Sequence, residues 1–583
     1  MKLRNKKKFY AWMLMGCISV FGLMFESCDS VRASSTYYTN AAFEYREIYL
    51  PESTGKNAQK LHLNNLDDDW GIWGHNLAKV LPKKPSQSVF SKKNGVTSED
   101  QFCFTSNRLF EYIEEYIDDK YDEDESVRFS IIPNDNDIVC LCEKCVAIGN
   151  NRKDASPAVF YMIQRLSERF PNHTFFTSHY RTAKGYPEKP LPSNVGVLIS
   201  AIDFPLLSKS SEKEETFRKR LAKWTALSNH VYVWDYINNF DDYFTPFPVF
   251  DVMQHRLQLY RDSGVEGVFF NGSGTDYSSL SGMKALVLAE LTVNPDIDWR
   301  SRLKDMVMKN YPVAGNDISE FIFKLEDYAK AKGEPLPLYD GVEKALTTYL
   351  PENEFIAFHD KIIELLPQTS GEEKEKLEKL CGALSLTRLE IARITGNLQG
   401  TPRFVEYLDR IGSEDFDTYN EAAWSIRNYI RDFRAIQENA KNPEVNLLKG
   451  ASIVSLTELD PEYSDLSILT DGLLGIPSNY HCGNLINSPE KSFILKIPYI
   501  QGMKKLKVGL VYNPAYRISL PEEVRLTKGG QLIGTKNPTV ADGKGGHLFL
   551  YFDIPDVKGE SLVLTLVKKP ESHSMALDEI EGF

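Results

Sequence analysis

Between residue 41 and about residue 285 the chain alternates two patterns of apolar and polar positions. Short apolar or aromatic runs bounded by Pro, Gly, Asn and Asp recur: FEYREIYL (43–50), WGIWGHN (70–76), VRFSIIP (127–133), HTFFTSHY (173–180), VGVLISAI (195–202), HVYVWDYI (230–237) and VEGVFFNG (265–272). Several are apolar for four or more residues in a row, as strands covered on both faces are. Between them the apolar positions take helical spacing. TSNRLFEYIEEYIDDKY (105–121) puts Leu109, Tyr112, Ile113, Tyr116 and Ile117 on one stripe, with Thr105 or Ser106 to cap its start and an acidic opposite face. Ser156–Pro157 reads as an N-cap followed by proline at the first helical position, opening AVFYMIQRLSERF, which stops before Pro171. ETFRKRLAKWTAL (215–227) and PVFDVMQHRLQLYRDSG (248–264) each precede a strand. Strand and helix in repeated alternation imply an α/β class with parallel pairing, and this many units imply a (β/α)8-like (TIM) barrel over 41–285. Seven strands can be counted, not eight, so a departure from the regular barrel is expected.

After about 285 the period is helical nearly throughout, which defines a helical region over 286–447. Within it SGEEKEKLEKLCGALSLTRLEIARITG (370–396) opens with the capping-box pair Ser370 and Glu373. From about 448 to 583 the texture changes to short alternating strands with Gly, Pro and Asn turns, such as KSFILKIPYI, KLKVGLVY and HLFLYFDI, and predicts a β-sandwich. No internal repeat or long low-complexity tract interrupts this order.

The N-terminus is of another kind. KLRNKKK (2–8) is a basic run, and FYAWMLMGCISVFGLMF (9–25) follows it without a charge, which makes an n-region and an h-region. FESCDS then resembles the bacterial lipoprotein signal in the loose form common in Bacteroidota, with Glu26 a departure from the stricter pattern. That resemblance implies a signal peptide over 1–28, lipidation at Cys28, a tether over 29–40 and a cell-envelope location. The anchor would lie on the outer membrane, facing the periplasm or the surface. Cys17, plain secretion and a single transmembrane anchor are the alternatives. Aromatic residues are 12% of the chain, a supply for large cores and for faces that stack on sugar rings. The formal net charge of −13, with no basic patch interleaved with aromatics, argues against a nucleic-acid partner.

Several of these segments together resemble the bacterial family known as domain of unknown function 4838. AAFEYREIY, WGIWGHNLAKVLP, QFCFTSN, the PNDND–CLCEKC run, VYVWDYINNF and GVFFNGSGT–LVLAELTVNPDIDW carry the match in order, over roughly residues 41–345. The resemblance implies a glycoside-hydrolase-like barrel with distant similarity to α-glucuronidases. An extra N-terminal domain present in many such proteins looks absent. At the other end, LTDGLLGIPSNY (469–480) and ALDEIEGF (576–583) resemble the discoidin, or coagulation factor 5/8 type C, sandwich, which implies carbohydrate binding or a support role.

In a barrel the reacting groups sit at the C-terminal ends of strands. Glycoside hydrolysis needs two carboxyl groups there, one protonated for the leaving oxygen and one ionised as nucleophile or base. Asp135 follows the FSIIP strand, Asp203 ends VGVLISAID and Asp235 lies within VYVWDY, so these three are the candidate catalytic residues, with Asp137 and Glu47 behind them. Each also has a plainer role open to it, since Asp at a strand end is a common cap or turn former. His75 and His179 are placed to bond a sugar hydroxyl, orient a carboxylate or serve the core. Trp73, Tyr180, Trp234 and Tyr236 are sugar platforms or core residues, and strand alternation prevents adjacent ones from all pointing inward. Asn271 ends the last strand, where the family pattern often has a glutamine–glycine pair. Ser273 stands where some members carry an acid, a departure that impairs the site if that acid is required. No Asp–Glu pair of the substrate-assisted hexosaminidase type stands at a strand end.

Cys103, Cys140, Cys142 and Cys145 have the density of a structural zinc site. In an exported chain disulfides are the first reading, zinc the second and free thiols the third. No GxGxxG, Walker A or HExxH element occurs, so no cofactor is required. The expected function is hydrolysis of a polysaccharide or oligosaccharide at the envelope. A non-catalytic glycan-binding lipoprotein is the alternative, and a purely structural envelope protein is a third. The sequence leaves oligomeric state open.

Overall fold

The computed structural model describes residues 41–93, 95–414, 416–441, 444–540, 545–555 and 561–583. The expected signal peptide, tether and Cys28 lie outside them. None of the described helices is long and apolar enough to cross a membrane.

Seven parallel strands form one curled sheet: β1 (Tyr45–Tyr49), β2 (Trp70–Ile72), β3 (Arg128–Ser130), β4 (Thr174–His179), β5 (Val195–Ser200), β6 (His230–Tyr236) and β7 (Gly267–Asn271). Each falls inside one of the seven apolar runs. The last strand pairs with the first, Tyr45 opposite Gly267, so the order is β1-β7-β6-β5-β4-β3-β2, with β1 and β2 as edges. Side chains bridge those edges. Trp70 donates its indole N–H to the Tyr45 hydroxyl at 2.8 Å, and the Leu66 amide donates to Glu47 at 3.0 Å. The sheet is therefore barrel-like with seven strands.

Long helices follow five strands: α1 (Asn107–Lys120) after β2, α2 (Ser156–Arg169) after β3, α3 (Glu212–Thr225) after β5, α4 (Phe250–Asp262) after β6 and α5 (Ser281–Val293) after β7. The β1–β2 connection holds only short helical turns, in keeping with its Pro51, Gly55 and polar content. The stripe on α1 is buried as the spacing predicts, and the Ser106 hydroxyl accepts the Leu109 amide at 3.2 Å. Two cap expectations need correction. Ala155, not Ser156, caps α2, because Asp154 already accepts the Ser156 amide and the Ser156 hydroxyl is used on Gly185. The capping box does not form either: Glu373 reaches across to the Val313 and Ala314 amides.

The helical region comprises α6 (Trp299–Asn310), α7 (Gly315–Lys332), α8 (Glu352–Leu365), α9 (Gly371–Thr395), α10 (Thr401–Glu414) and α11 (Ile426–Asn439), with short turns between. The C-terminal part folds as two antiparallel sheets of five and four strands, which share a core that includes Leu495, Val508, Leu510, Leu564 and Leu577. Residues 41–583 form one compact unit. What joins its parts is the segment after β6, whose Phe240, Tyr243 and Phe244 pack with Leu386, Tyr419 and Trp424 of the helical region and Leu474 and Cys482 beside the sandwich.

Candidate functional site

Alternation along each strand decides what reaches the inside of the barrel. Tyr45, Trp70, Phe176, Leu198 and Tyr232 make a lower interior layer. Above it Trp73 stacks on Trp234 at 5.0 Å, and both pack on Phe269 at 4.6 and 4.7 Å. Each of these tryptophans covers one face of the other, and both stay partly exposed at the top of the interior. Tyr236, two residues on, is mostly buried and shares a 3.1 Å hydrogen bond with Ser200. Asn271 stands two residues after Phe269 on the same strand, and its carbonyl accepts the Ile237 amide at 3.0 Å.

The C-terminal mouth collects charge from loops. Arg181, directly after β4, holds a left-handed backbone at φ 45° inside a tight turn closed by Tyr180 and Ala183. From there its guanidinium bonds Asp135 at 2.7 Å and Asp137 at 3.1 and 3.2 Å. Tyr180 and His75 lie close enough to Asp135 to favour its ionised form. The His75 Nδ1 contacts the Pro133 carbonyl at 2.6 Å. A carbonyl only accepts, so the proton in this contact is on Nδ1. Partial burial raises the Asp135 pKa, but the Arg181 bond, the His75 and Arg181 charges and the nearby Tyr180 hydroxyl outweigh it, and Asp135 is held below the usual carboxylate value.

Three residues outside the barrel strands complete this mouth. Glu421, between α10 and α11, is placed by its amide, which bonds the Phe240 carbonyl at 2.9 Å. Its side chain reaches solvent, yet its pKa is raised, first by partial desolvation among the packed groups around it and then by the Asp241 and Asp135 charges. Asp241, in the segment after β6, accepts the Asp340 amide at 2.8 Å and pairs with His481 at 3.1 Å. Tyr339 is 45% exposed, packs on Phe240 at 5.8 Å and feels the charges of Glu421, Asp241 and Asp135. Glu421, Asp241, Tyr339 and Arg181 carry no motif that marks them in the sequence.

Other expected residues are elsewhere. Asp235 faces the helices, where it is wholly buried against Arg256 and accepts a hydrogen bond from Tyr260 at 2.5 Å. That placement, against the helices and not at the mouth, does not suit the catalytic role expected of it. Asp203 is bound by Arg220 at 2.8 and 2.9 Å. Burial raises its pKa, but Arg220 and Lys184 bring it below the usual value. His179 also faces outward, against Tyr186 and Trp224, and burial pushes its pKa down to about 4. Glu47 is buried beneath the mouth beside Tyr45, and burial pushes it up to about 8. The Ser273 hydroxyl is spent on the Asp276 carbonyl at 2.6 Å.

Cys103, Cys140, Cys142 and Cys145 lie together, their sulfurs all within 4.8 Å of one another, and form a cluster able to coordinate a metal.

Fold and site define an α/β protein with a curled parallel barrel, a filled aromatic interior and a mouth of carboxylates and tyrosines. The chain belongs to the family described as domain of unknown function (DUF4838), whose model matches residues 27–322. No curated protein matches it. Among solved structures it is similar to a family GH115 4-O-methyl-α-glucuronidase with specificity for decorated arabinogalactans, at 10% identity over 93% of this chain and 81% of that one, TM-score 0.43. It is similar to a family 89 glycoside hydrolase from Clostridium perfringens at 13% identity over 56% of this chain and 37% of that one, TM-score 0.32. It is also similar to the lectin domain of lectinolysin at 18% identity over 24% of this chain and 96% of that one, TM-score 0.19.

Proposed function

We propose that the barrel mouth cleaves glycosidic bonds, with Glu421 as general acid and Asp135 as the ionised partner. One observation carries this reading: at the mouth Asp135 is held below the usual carboxylate range, while Glu421, which feels its charge, is raised. Glycoside hydrolysis requires that division of labour. Glu421 would protonate the leaving oxygen while Asp135 attacks the anomeric carbon or activates water. Tyr339 and Tyr180 would offer ring faces to the sugar. The basic and apolar N-terminus and Cys28 support attachment to the cell envelope through lipid. LTDGLLGIPSNY and ALDEIEGF support a discoidin-like, carbohydrate-binding role for the sandwich.

The pH dependence follows from the two directions. Activity needs Asp135 ionised and Glu421 protonated, so kcat/KM rises through an acid limb below the usual carboxylate range. It falls again as pH passes the raised pKa of Glu421, which gives a bell-shaped profile. The test is a panel of poly- and oligosaccharides with products read by mass spectrometry. Asp135→Asn and Glu421→Gln are each expected to lower kcat/KM by roughly 10²–10⁴-fold, and full turnover in both variants would sink the assignment.

One observation favours recognition without cleavage. Asp135 is paired with Arg181 and held below the usual carboxylate range, which makes it a weak base. Binding across the panel with no product formed would select that reading.

A further inference from the structure

We propose that Cys103, Cys140, Cys142 and Cys145 form a structural tetrathiolate zinc site that fixes the loop carrying Asp135. A regular tetrahedron with zinc–sulfur bonds of about 2.3 Å has an edge of about 3.8 Å. Cys103 Sγ lies 3.7 Å from Cys142 Sγ and 3.8 Å from Cys145 Sγ. Those separations match the edge. Disulfide sulfurs stand about 2.05 Å apart, and all four thiols are free.

The surroundings suit thiolates. The Lys92 amide donates to Cys140 Sγ at 3.3 Å. The Thr105 hydroxyl lies 3.1 Å from Cys145 Sγ, 3.4 Å from Cys103 Sγ and 3.8 Å from Cys142 Sγ. Donors of this kind hold ligand sulfurs in place and temper their charge. Cys103, Cys140 and Cys145 are buried and Cys142 is half-buried, so the cluster is closed, as structural zinc sites are.

The chain has a physical need at this point. Cys103 directly follows the strand Val96–Phe102 of a two-stranded hairpin, while Cys140, Cys142 and Cys145 follow Asp135 and Asp137. The 131–142 stretch has no regular secondary structure. It is tied to the hairpin by Leu141 N–H to the Lys92 carbonyl at 2.7 Å and by Asn134 and Gln101, which exchange bonds of 3.0 and 3.1 Å. A metal held by ligands on both segments clamps the far end of that stretch and so limits where Asp135 can move.

The experiment uses the full chain purified in detergent without added chelator. Elemental analysis is expected to find about one zinc per chain, released when a mercurial blocks the thiols. Cobalt exchange is expected to give the intense visible bands of tetrahedral cobalt with a thiolate-to-metal charge-transfer band. Hydrogen exchange is expected to speed up in residues 131–150 after metal removal and to stay unchanged in the C-terminal sandwich. Cys142→Ser should lose the metal, and Cys381→Ser, in the helical region, should keep it. Iron in place of zinc, or a metal-free chain whose non-reduced mass is short by two hydrogens per disulfide, would overturn the proposal. None of these readouts depends on cleavage of a glycan.

Discussion

A carboxylate near the end of a barrel strand can face the barrel or the helices around it, and neighbouring cations then set what it can do. Asp235 faces the helices and is wholly buried with Arg256 and Tyr260. Removing it leaves a buried guanidinium without its counter-charge, so Asp235→Ala should cost about 3–5 kcal/mol. Asp203→Ala, which breaks a partly exposed pair with Arg220, should cost about 1 kcal/mol or less. Urea denaturation of the two variants checks this, and equal losses would contradict the placement. Strand alternation sets Asp235 opposite to Trp234 and Tyr236 but does not say which side faces the barrel, so its outward turn was only half legible and it stood among the catalytic candidates. Glu421 and Tyr339 were not legible. Each comes from a segment distant in sequence, and no local pattern marks a residue that a tertiary contact carries to the mouth.

At the scale of strands and helices, the seven apolar runs all became parallel strands, since continuous burial on both faces leaves few other uses for such runs. Their spacing does not reveal how the interior is filled. Four large rings, Tyr45, Trp70, Phe176 and Tyr232, share the lower layer, and they fit because glycine stands beside them on β5 and β7. A Cβ at Gly196 would lie 2.4 Å from the Phe176 ring and 2.8 Å from His230 Cβ. One at Gly267 would lie 2.7 Å from the Tyr232 ring and 2.8 Å from Tyr45 Cβ. Gly196→Ala and Gly267→Ala are therefore each expected to destabilise by about 1–3 kcal/mol through overpacking. Thermal melts read the effect, and an unchanged melting temperature in both would mean the layer is not tightly filled. The cap shifts have the same origin as this blind spot. Ser156 and Glu373 have the right chemistry for caps, but tertiary partners claimed them.

For the whole molecule, the boundary that composition suggests near residue 448 is not a boundary between independent bodies. The segment after β6 carries Phe240, Tyr243 and Phe244 into a core shared with the helical region and with Leu474, Ile476 and Cys482. Polar ties cross the same seam: Ser478 N–H to Asp432 at 2.9 Å, Lys507 to Asn439 at 2.7 Å and His481 to Asp241 at 3.1 Å. A chain ending at residue 447 would lose one wall of that core and leave Trp424, which packs on Tyr480, His481 and Tyr516, open to water. Exposed apolar area on this scale favours aggregation and weakens the segment that positions Asp241 and the Glu421 amide. Such a chain is expected to melt at a lower temperature than the intact protein and to bind a hydrophobic dye in its native state. It should also lose glycan cleavage even though Asp135 and Glu421 are both present. A truncated chain with an unchanged melting temperature and full turnover would show that barrel and helices stand alone. With that result, the sandwich could not be part of what holds the mouth together.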